Sequence, residues 1–428
     1  RNKYNLYLVS GEPIDIIWTA TWFGYAQRAA SGAFLPIDHL VDAYAPKLKQ
    51  AIPEMDWKVS KVGNKSYCVP DMNQTNSSWG VVWREDLRKK YKCPEIKDLA
   101  SLEAYYDAII KNEPDMIPTV DASYGGLWHT YTYMFGIYSG LGAGEFRYGF
   151  AADMRNPRNL FVHTETDYFK KYAQIARRWV EKKYFEADYA SRNVNTGDGV
   201  LSGRYASAVR QITPQSANST IIVPGKKLHP DWDFGFMTWA EMFKIAYANC
   251  PSFLSVALSK ACPNPERAMM FLELLLTDKD LSRLVAYGIE GTHYKIDEKG
   301  KYVSLNDPKN PGFLSNALGL NTLMNPALAV YPESYDFELK QENIQKALAV
   351  PNYYQGFPED PSSYSAESAA IMQTWEQYGV PLMNGYVPNV EEGIATLNKK
   401  MAAAGREIVF AAYKKQWDAW LDSLGIKK

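Results

Sequence analysis

Trp22, Phe23 and Tyr25 stand within four positions of one another, directly after the apolar run Ile16-Ile17-Trp18. Flat aromatic faces at such spacing suit stacking on sugar rings. No nucleophile, metal cluster or phosphate loop accompanies them, so the chemistry on offer is binding rather than bond making. The run at 14–19 reads as a short, buried parallel strand, and the residues after it as a short helix ending at Gly32. The carboxyl end of such a strand is where open α/β sheets place their ligands.

The 428 residues suffice for two or three domains. With 47 basic against 48 acidic residues, the chain lacks the basic field that nucleic acid requires. Cys68, Cys93, Cys250 and Cys262 have neither CxxC spacing nor a histidine cluster beside them, which argues against zinc, and a Cys250–Cys262 disulfide is left open. Residues 122–144 hold six glycines, four tyrosines and no charge apart from His129. They lack the sustained aliphatic character of a membrane span and read as the wall of a cleft. Carboxylates such as Glu165, Asp167, Asp231 and Asp233 could be paired as a glycosidase dyad, but no local motif selects two of them.

Helices are expected at 24–31, 38–50, 85–113, 165–184 and 265–285, and from 363 to the end. Strands are expected at 14–19, 79–83, 205–209 and 253–259, with hairpins at 61–69 and 297–304. Ser101 is the expected N-cap of the helix carrying Leu102, Tyr105, Tyr106, Ile109 and Ile110 at helical spacing. Tyr168, Tyr172, Ile175 and Trp179 form one expected core stripe; Met269, Phe271, Leu272, Leu275 and Leu276 form a second, and Val409, Tyr413, Trp417, Trp420 and Leu424 a third. The Asp-Glu-Lys-Gly turn at 297–300 has too few oxygen ligands for a calcium loop.

In this order the elements resemble an extracellular solute-binding protein of a bacterial ABC importer, in the carbohydrate-binding group that includes maltodextrin-binding proteins. The likeness is carried by DIIWTATWFGYAQRAASGAFLPI, by FLSVALSKACPNPERAMMFLELLLTD, by the turn YGIEGTHYKI and by the tail REIVFAAYKKQWDAWL, spanning most of residues 11–425. It implies an α/β, two-lobed periplasmic-binding-protein-like fold (type II) with hinge-crossing strands and a helical C-terminal extension. Residues 1–75 would begin the N-terminal lobe and 76–115 continue it into a hinge crossing. Residues 116–252 would form the C-terminal lobe and 253–310 return to the first lobe, with 311–428 as a second crossing and a mainly helical segment. It also implies an upstream strand–helix–strand unit of roughly 50 residues.

The function so implied is capture of an oligosaccharide by two closing lobes, without a cofactor, by a monomer that delivers it to ABC permease subunits. The parent would be a lipoprotein on the outer face of the membrane. Trp22 and Tyr25 are the first-lobe candidates for sugar contact. Asn73, Gln74, Asn76 and Trp79 fall where the family crosses between lobes, where the polar groups either meet sugar hydroxyls or cap their own turns. Trp128, Tyr131 and Tyr133 fall where maltodextrin binders place a stacking aromatic, and alternation in an extended segment would put the two tyrosines on one face. Arg210 and Gln211 match a second-lobe sugar loop that here lacks its aromatic. Arg210 either grips an acidic sugar or closes a structural salt bridge. Trp239 and Trp375 complete the set, and His293-Tyr294 reads as a packing turn. A secreted glycoside hydrolase or lyase is the rival from another class, and a peptide or metal binder a third.

Overall fold

The computed structural model describes residues 2–72, 79–120, 125–138, 148–186, 196–209, 212–247, 254–306, 325–353, 357 and 359–427. The chain divides into two compact units. The first joins Arg1–Thr75, Asn249–Tyr335 and Tyr353–Pro358; the second joins Asn76–Ala248, Asp336–Asn352 and Glu359–Lys428.

In the first unit Ile16–Thr19 pairs with Ser255–Leu258, Ile16 opposite Leu258 and Thr19 opposite Ser255. The pairing is antiparallel, not parallel as the apolar run suggested. Such a run reports burial on both faces and is silent on the neighbour's direction. Alternation then sorts the side chains. Val256 and Leu258 enter a core with Leu40, Val41, Leu48, Met269 and Leu272, whereas Ala257 joins Tyr25, Ala29, Phe34 and Cys68. Helices Asp38–Tyr44, Pro46–Ala51 and Pro265–Thr277 supply the first core, and Tyr25–Ala30 the second.

The single helix expected at 38–50 breaks at Ala45, whose φ of −140° is non-helical, and restarts at Pro46 in its first turn. In Pro265–Thr277, Asn264 caps the start by accepting from the Arg267 N–H at 3.1 Å. Phe271, expected inside, is exposed, while Met269, Leu272, Leu275 and Leu276 are buried. Both hairpins form: Lys61–Val62 with Lys65–Ser66, and Tyr294–Ile296 with Tyr302–Ser304. Asp297 closes the latter by accepting from the N–H groups of Lys299 and Lys301, a turn that completes itself. Cys262 carries a free thiol that donates to Asp15 at 3.3 Å, so no disulfide forms there; Cys250 lies outside the described residues.

The second unit is organised on Gly80–Arg84, fully buried and flanked antiparallel by Ser207–Ala208 and Phe234–Thr238. A second sheet orders Ile137–Tyr138, Phe150–Asp153 and Leu160–Val162. The helix Leu99–Asn112 is capped by Asp98 and not Ser101. Asp98 accepts from the Ser101 N–H at 2.8 Å, and the Ser101 hydroxyl accepts from the Asp98 N–H at 3.1 Å. Two orphan donors are satisfied reciprocally, which Ser101 alone could not do.

Residues 125–135, expected as an extended wall, form the helix Gly125–Phe135. On Asp167–Glu181 the buried face runs through Phe169, Tyr172, Ala173, Ala176 and Trp179, leaving the expected core residue Tyr168 exposed. The chain is helical beyond 363 as expected, and Gly405 (φ +93°) separates Val390–Ala403 from Arg406–Ser423. On the last helix Leu421 continues the buried line of Val409, Tyr413 and Trp417 in place of Leu424, because the fourfold spacing holds one stripe. Trp420 is half-buried.

Candidate functional site

In the first unit the turn after Ile16–Thr19 is fixed by its backbone. The N–H groups of Phe23 and Tyr25 both donate to the Ala20 carbonyl, at 3.1 and 3.0 Å, and Gly24 donates to Thr21. Trp22 is the middle residue of this 3₁₀ turn, Thr21–Phe23. Gly24 ends it at φ +84°, a conformation that favours glycine. Phe23 is held among Tyr4 and Trp18, at centroid distances of 4.9 and 5.4 Å, with the Arg28 guanidinium 4.5 Å above its ring. The Tyr4 hydroxyl donates to the Trp18 carbonyl at 2.7 Å. The segment is thus clamped on both sides of Trp22.

Tyr25 is interior. Its hydroxyl donates to the Ser60 carbonyl at 2.8 Å and accepts from the Tyr67 N–H, and its ring stacks on Phe34. This is a core tyrosine whose polar tip is satisfied within the unit.

In the second unit Trp79 precedes the central strand, is half-buried, and its carbonyl accepts from the Trp239 N–H at 2.8 Å. Trp239 is wholly buried, and its indole N–H has no hydrogen-bond partner among the described residues. Trp128 lies on the Gly125–Phe135 helix. On that helix Tyr131 and Tyr133 do not share a face, since two residues rotate by about 200°. Tyr133 stacks on Tyr247 at 5.3 Å. Tyr131 packs against Phe169 and Tyr172, with its hydroxyl 3.3 Å from His163 Nδ1. Trp375 closes the same cluster, 5.8 Å from the His163 ring and 6.2 Å from Phe169. Burial pushes the Tyr131 hydroxyl well above the ordinary tyrosine range. Tyr131 and Trp375 therefore come together, as packing. Asn73, Gln74, Asn76, Arg210 and Gln211 lie outside the described residues.

Of the carboxylates considered as a dyad, Glu165 is ion-paired with Arg406. Asp233 lies between Lys89 and Lys226, at 3.1 and 3.3 Å; burial opposes ionisation, yet these partners hold its carboxyl below the ordinary range. Among the described residues no group of three or more His, Cys, Asp or Glu side chains could hold a metal ion, and no helix is long and apolar enough to cross a membrane.

One surface had no counterpart among the sequence-derived candidates. A shallow, open and largely apolar surface runs along the helix Tyr335–Leu348, formed by Asp336, Leu339, Lys340, Asn343, Ile344 and Ala347. Its signal was available: apolar and polar residues alternate at i, i+3, i+4 and i+7 without making a clean core stripe.

The fold is that of the two-lobed solute-binding proteins. The family described as Bacterial extracellular solute-binding protein matches residues 1–281, and the chain belongs to it. Residues 353–422 match a domain of unknown function. A carbohydrate ABC transporter substrate-binding protein of Streptococcus pneumoniae serotype 4 (strain ATCC BAA-334 / TIGR4) is 23% identical over 98% of this chain and 82% of its own length. Among solved structures, the N-glycan transport solute binding protein NgtS of Streptococcus pneumoniae superposes with a TM-score of 0.76 at 20% identity, covering 98% of this chain and 89% of that one. NgtS is also known in complex with Man1GlcNAc and with Man5GlcNAc. An extracellular solute-binding protein of Bifidobacterium longum subsp. infantis gives 0.67 at 16% identity, covering 98% and 90%.

Proposed function

We propose that this chain captures an oligosaccharide outside the cytoplasm and delivers it to the membrane subunits of an ABC importer. The observation that carries this reading is the family match over residues 1–281, and the carbohydrate relatives narrow the solute class. Within the chain, the rigid turn that bears Trp22 supplies the first-unit contact. Trp79 and Trp128 are the second-unit candidates. Tyr25, Tyr131, Tyr133, Trp239 and Trp375 serve the interior that supports them. Arg210, with Gln211, Asn73, Gln74 and Asn76, is retained as a polar contact, and Arg210 would favour an acidic sugar. The protein acts as a monomer held to the membrane by a lipid anchor, and it leaves the sugar intact. The engagement of Glu165 and Asp233 in ion pairs supports the last point.

Titration calorimetry with Man1GlcNAc, Man5GlcNAc, kestose and alginate oligosaccharides tests the reading, with chromatography of each sugar before and after incubation. Binding near micromolar, about −8 kcal/mol, with the sugar recovered unchanged is the expected result. Shortened products would make the chain a hydrolase or lyase.

A further inference from the structure

Arg84, Arg88, Arg158 and Arg406 enter the second unit against carboxylates, those of Asp86, Glu85, Asp422 and Glu165. A cation withdrawn from water without such a partner is costly. Arg28, half-buried in the first unit, meets no carboxylate among the described residues. Its guanidinium makes one hydrogen bond there, from Nη2 to the side-chain oxygen of Asn5 at 3.1 Å. Aromatic rings cover its faces, with Cζ 4.5 Å from the Phe23 centroid and 5.2 Å from that of Tyr4. Guanidinium hydrogen bonds run in the plane, from the edges, so the rings leave those donors unspent. A Cβ built on Gly24 would lie 2.8 Å from Arg28 Nη1. The guanidinium therefore rests against the backbone of the turn that bears Trp22. Tyr4 registers the charge: burial raises its hydroxyl above the ordinary tyrosine range, and Arg28 opposes the rise.

We propose that Arg28 determines specificity at this turn, and that the sugar held there carries a carboxylate. The proposal rests on the oligosaccharide-capture reading given above and narrows it to an acidic sugar. A sugar at the turn comes within reach of the guanidinium, because the two share one stretch of backbone. The planar fork matches the two oxygens of a carboxylate with parallel N–H···O bonds. One guanidinium balances one carboxylate. A phosphate ester, at about −1.5 to −2 near neutral pH, would leave charge over. A neutral sugar would leave the cation as it stands, partly withdrawn from water and unpaired. The clamp on Phe23 and Tyr4 holds the fork in place before the ligand arrives, so little side-chain freedom is lost on binding. The selectivity then belongs to Arg28 with or without Arg210.

The test is calorimetry on the full chain with matched pairs of sugars: trimannuronate and its carboxyl-reduced, neutral counterpart, and sialyllactose and lactose. In at least one pair the parent should bind the acidic member tenfold or more tightly than the neutral one, and added salt should narrow the gap. Arg28→Gln should weaken the acidic member tenfold or more and leave the neutral one unchanged. Arg28→Lys, which keeps the charge without the fork, should fall between. Both variants should melt within a few degrees of the parent, since the guanidinium lies outside the core. A parent that binds neutral sugars, Man5GlcNAc included, as tightly as acidic ones would overturn the proposal whatever the variants do, and would leave sugar capture standing. Arg28→Gln weakening both members of a pair alike would also overturn it, making Arg28 only a clamp for the turn. A parent that binds no sugar of either kind would remove the capture reading and this proposal together.

Discussion

The turn at the end of the first strand separates two aromatic residues three positions apart. Tyr25 is committed to the interior through Ser60 and Phe34. Replacing Tyr25 by Phe removes that hydroxyl and strands a buried carbonyl, so denaturant unfolding should report a loss of about 1–2 kcal/mol with sugar affinity unchanged. Trp22 should behave in the opposite way. Trp22→Ala should weaken binding by roughly 1–3 kcal/mol, the scale of one aromatic stack with its buried area, and barely move the melting temperature. Equal affinities for Trp22→Ala and the parent would remove Trp22 from the site. A second residue-scale expectation concerns Glu359. Its carboxyl is half-buried, accepts from the Tyr364 hydroxyl at 3.0 Å, and is pushed by loss of solvent above the ordinary 4.5. The folded state then holds its proton more tightly than the unfolded state. This stability is present in full below the unfolded value and is lost as pH rises through the folded one. Glu359→Gln should flatten the fall in melting temperature above about pH 4.5 and leave the neutral-pH protein at least as stable. A pH profile identical to the parent's would refute this.

Elements were legible where local pattern and tertiary demand agreed. The closing helix around Trp417 carries periodicity that matches its burial, and the Lys61–Ser66 hairpin carries its turn signal; the run Ile16-Ile17-Trp18 does form a strand, but a half-buried one rather than the buried one expected. The Gly125–Phe135 helix did not announce itself, because Gly, Thr and Tyr are weak helix formers. What holds its last turns is packing: Tyr131 against Tyr172 and Phe169 on one side, Tyr133 against Tyr247 on the other. Tertiary contact overrode propensity there, and the candidate tyrosines moved from cleft wall to interior with it. The exchange of Tyr168 for Phe169 on Asp167–Glu181 is a smaller case. Either phase makes an amphipathic helix, and only the shape of the surrounding core chooses. The central strand of the second unit sets its own constraint. A Cβ on Gly80 would lie 2.1 Å from the Met237 carbonyl oxygen and 2.7 Å from the Thr238 Cα, both backbone atoms of the paired strand. Gly80→Ala must part the two strands, and a loss of roughly 3 kcal/mol is expected in chemical unfolding. A fully stable variant would show that the pairing yields more easily than its geometry implies.

For the whole molecule, the proposed capture mechanism requires that both units respond to one ligand. Hydrogen exchange should slow on sugar binding in residues 16–30 of the first unit and in residues 125–135 of the second, because ligand binding to the native state stabilises the elements that contact it. Protection confined to one unit would contradict capture by both. Family membership was legible because four separated stretches kept their order along the chain. The identity of the ligand was not: the polar residues singled out for it, Asn73, Gln74, Asn76, Arg210 and Gln211, lie outside the described residues. The interleaving of the units has a further consequence for how the chain is made. Ile16 cannot meet Leu258 until the intervening residues have been synthesised, which at about 5–20 residues per second takes on the order of tens of seconds. Throughout that interval the edge of Ile16–Thr19 that receives Ser255–Leu258 stays open, a template for association with a neighbouring chain. A nascent chain in this condition needs an escort. By the same delay the first unit cannot close early, and the polypeptide stays slack enough to be threaded across a membrane before it folds.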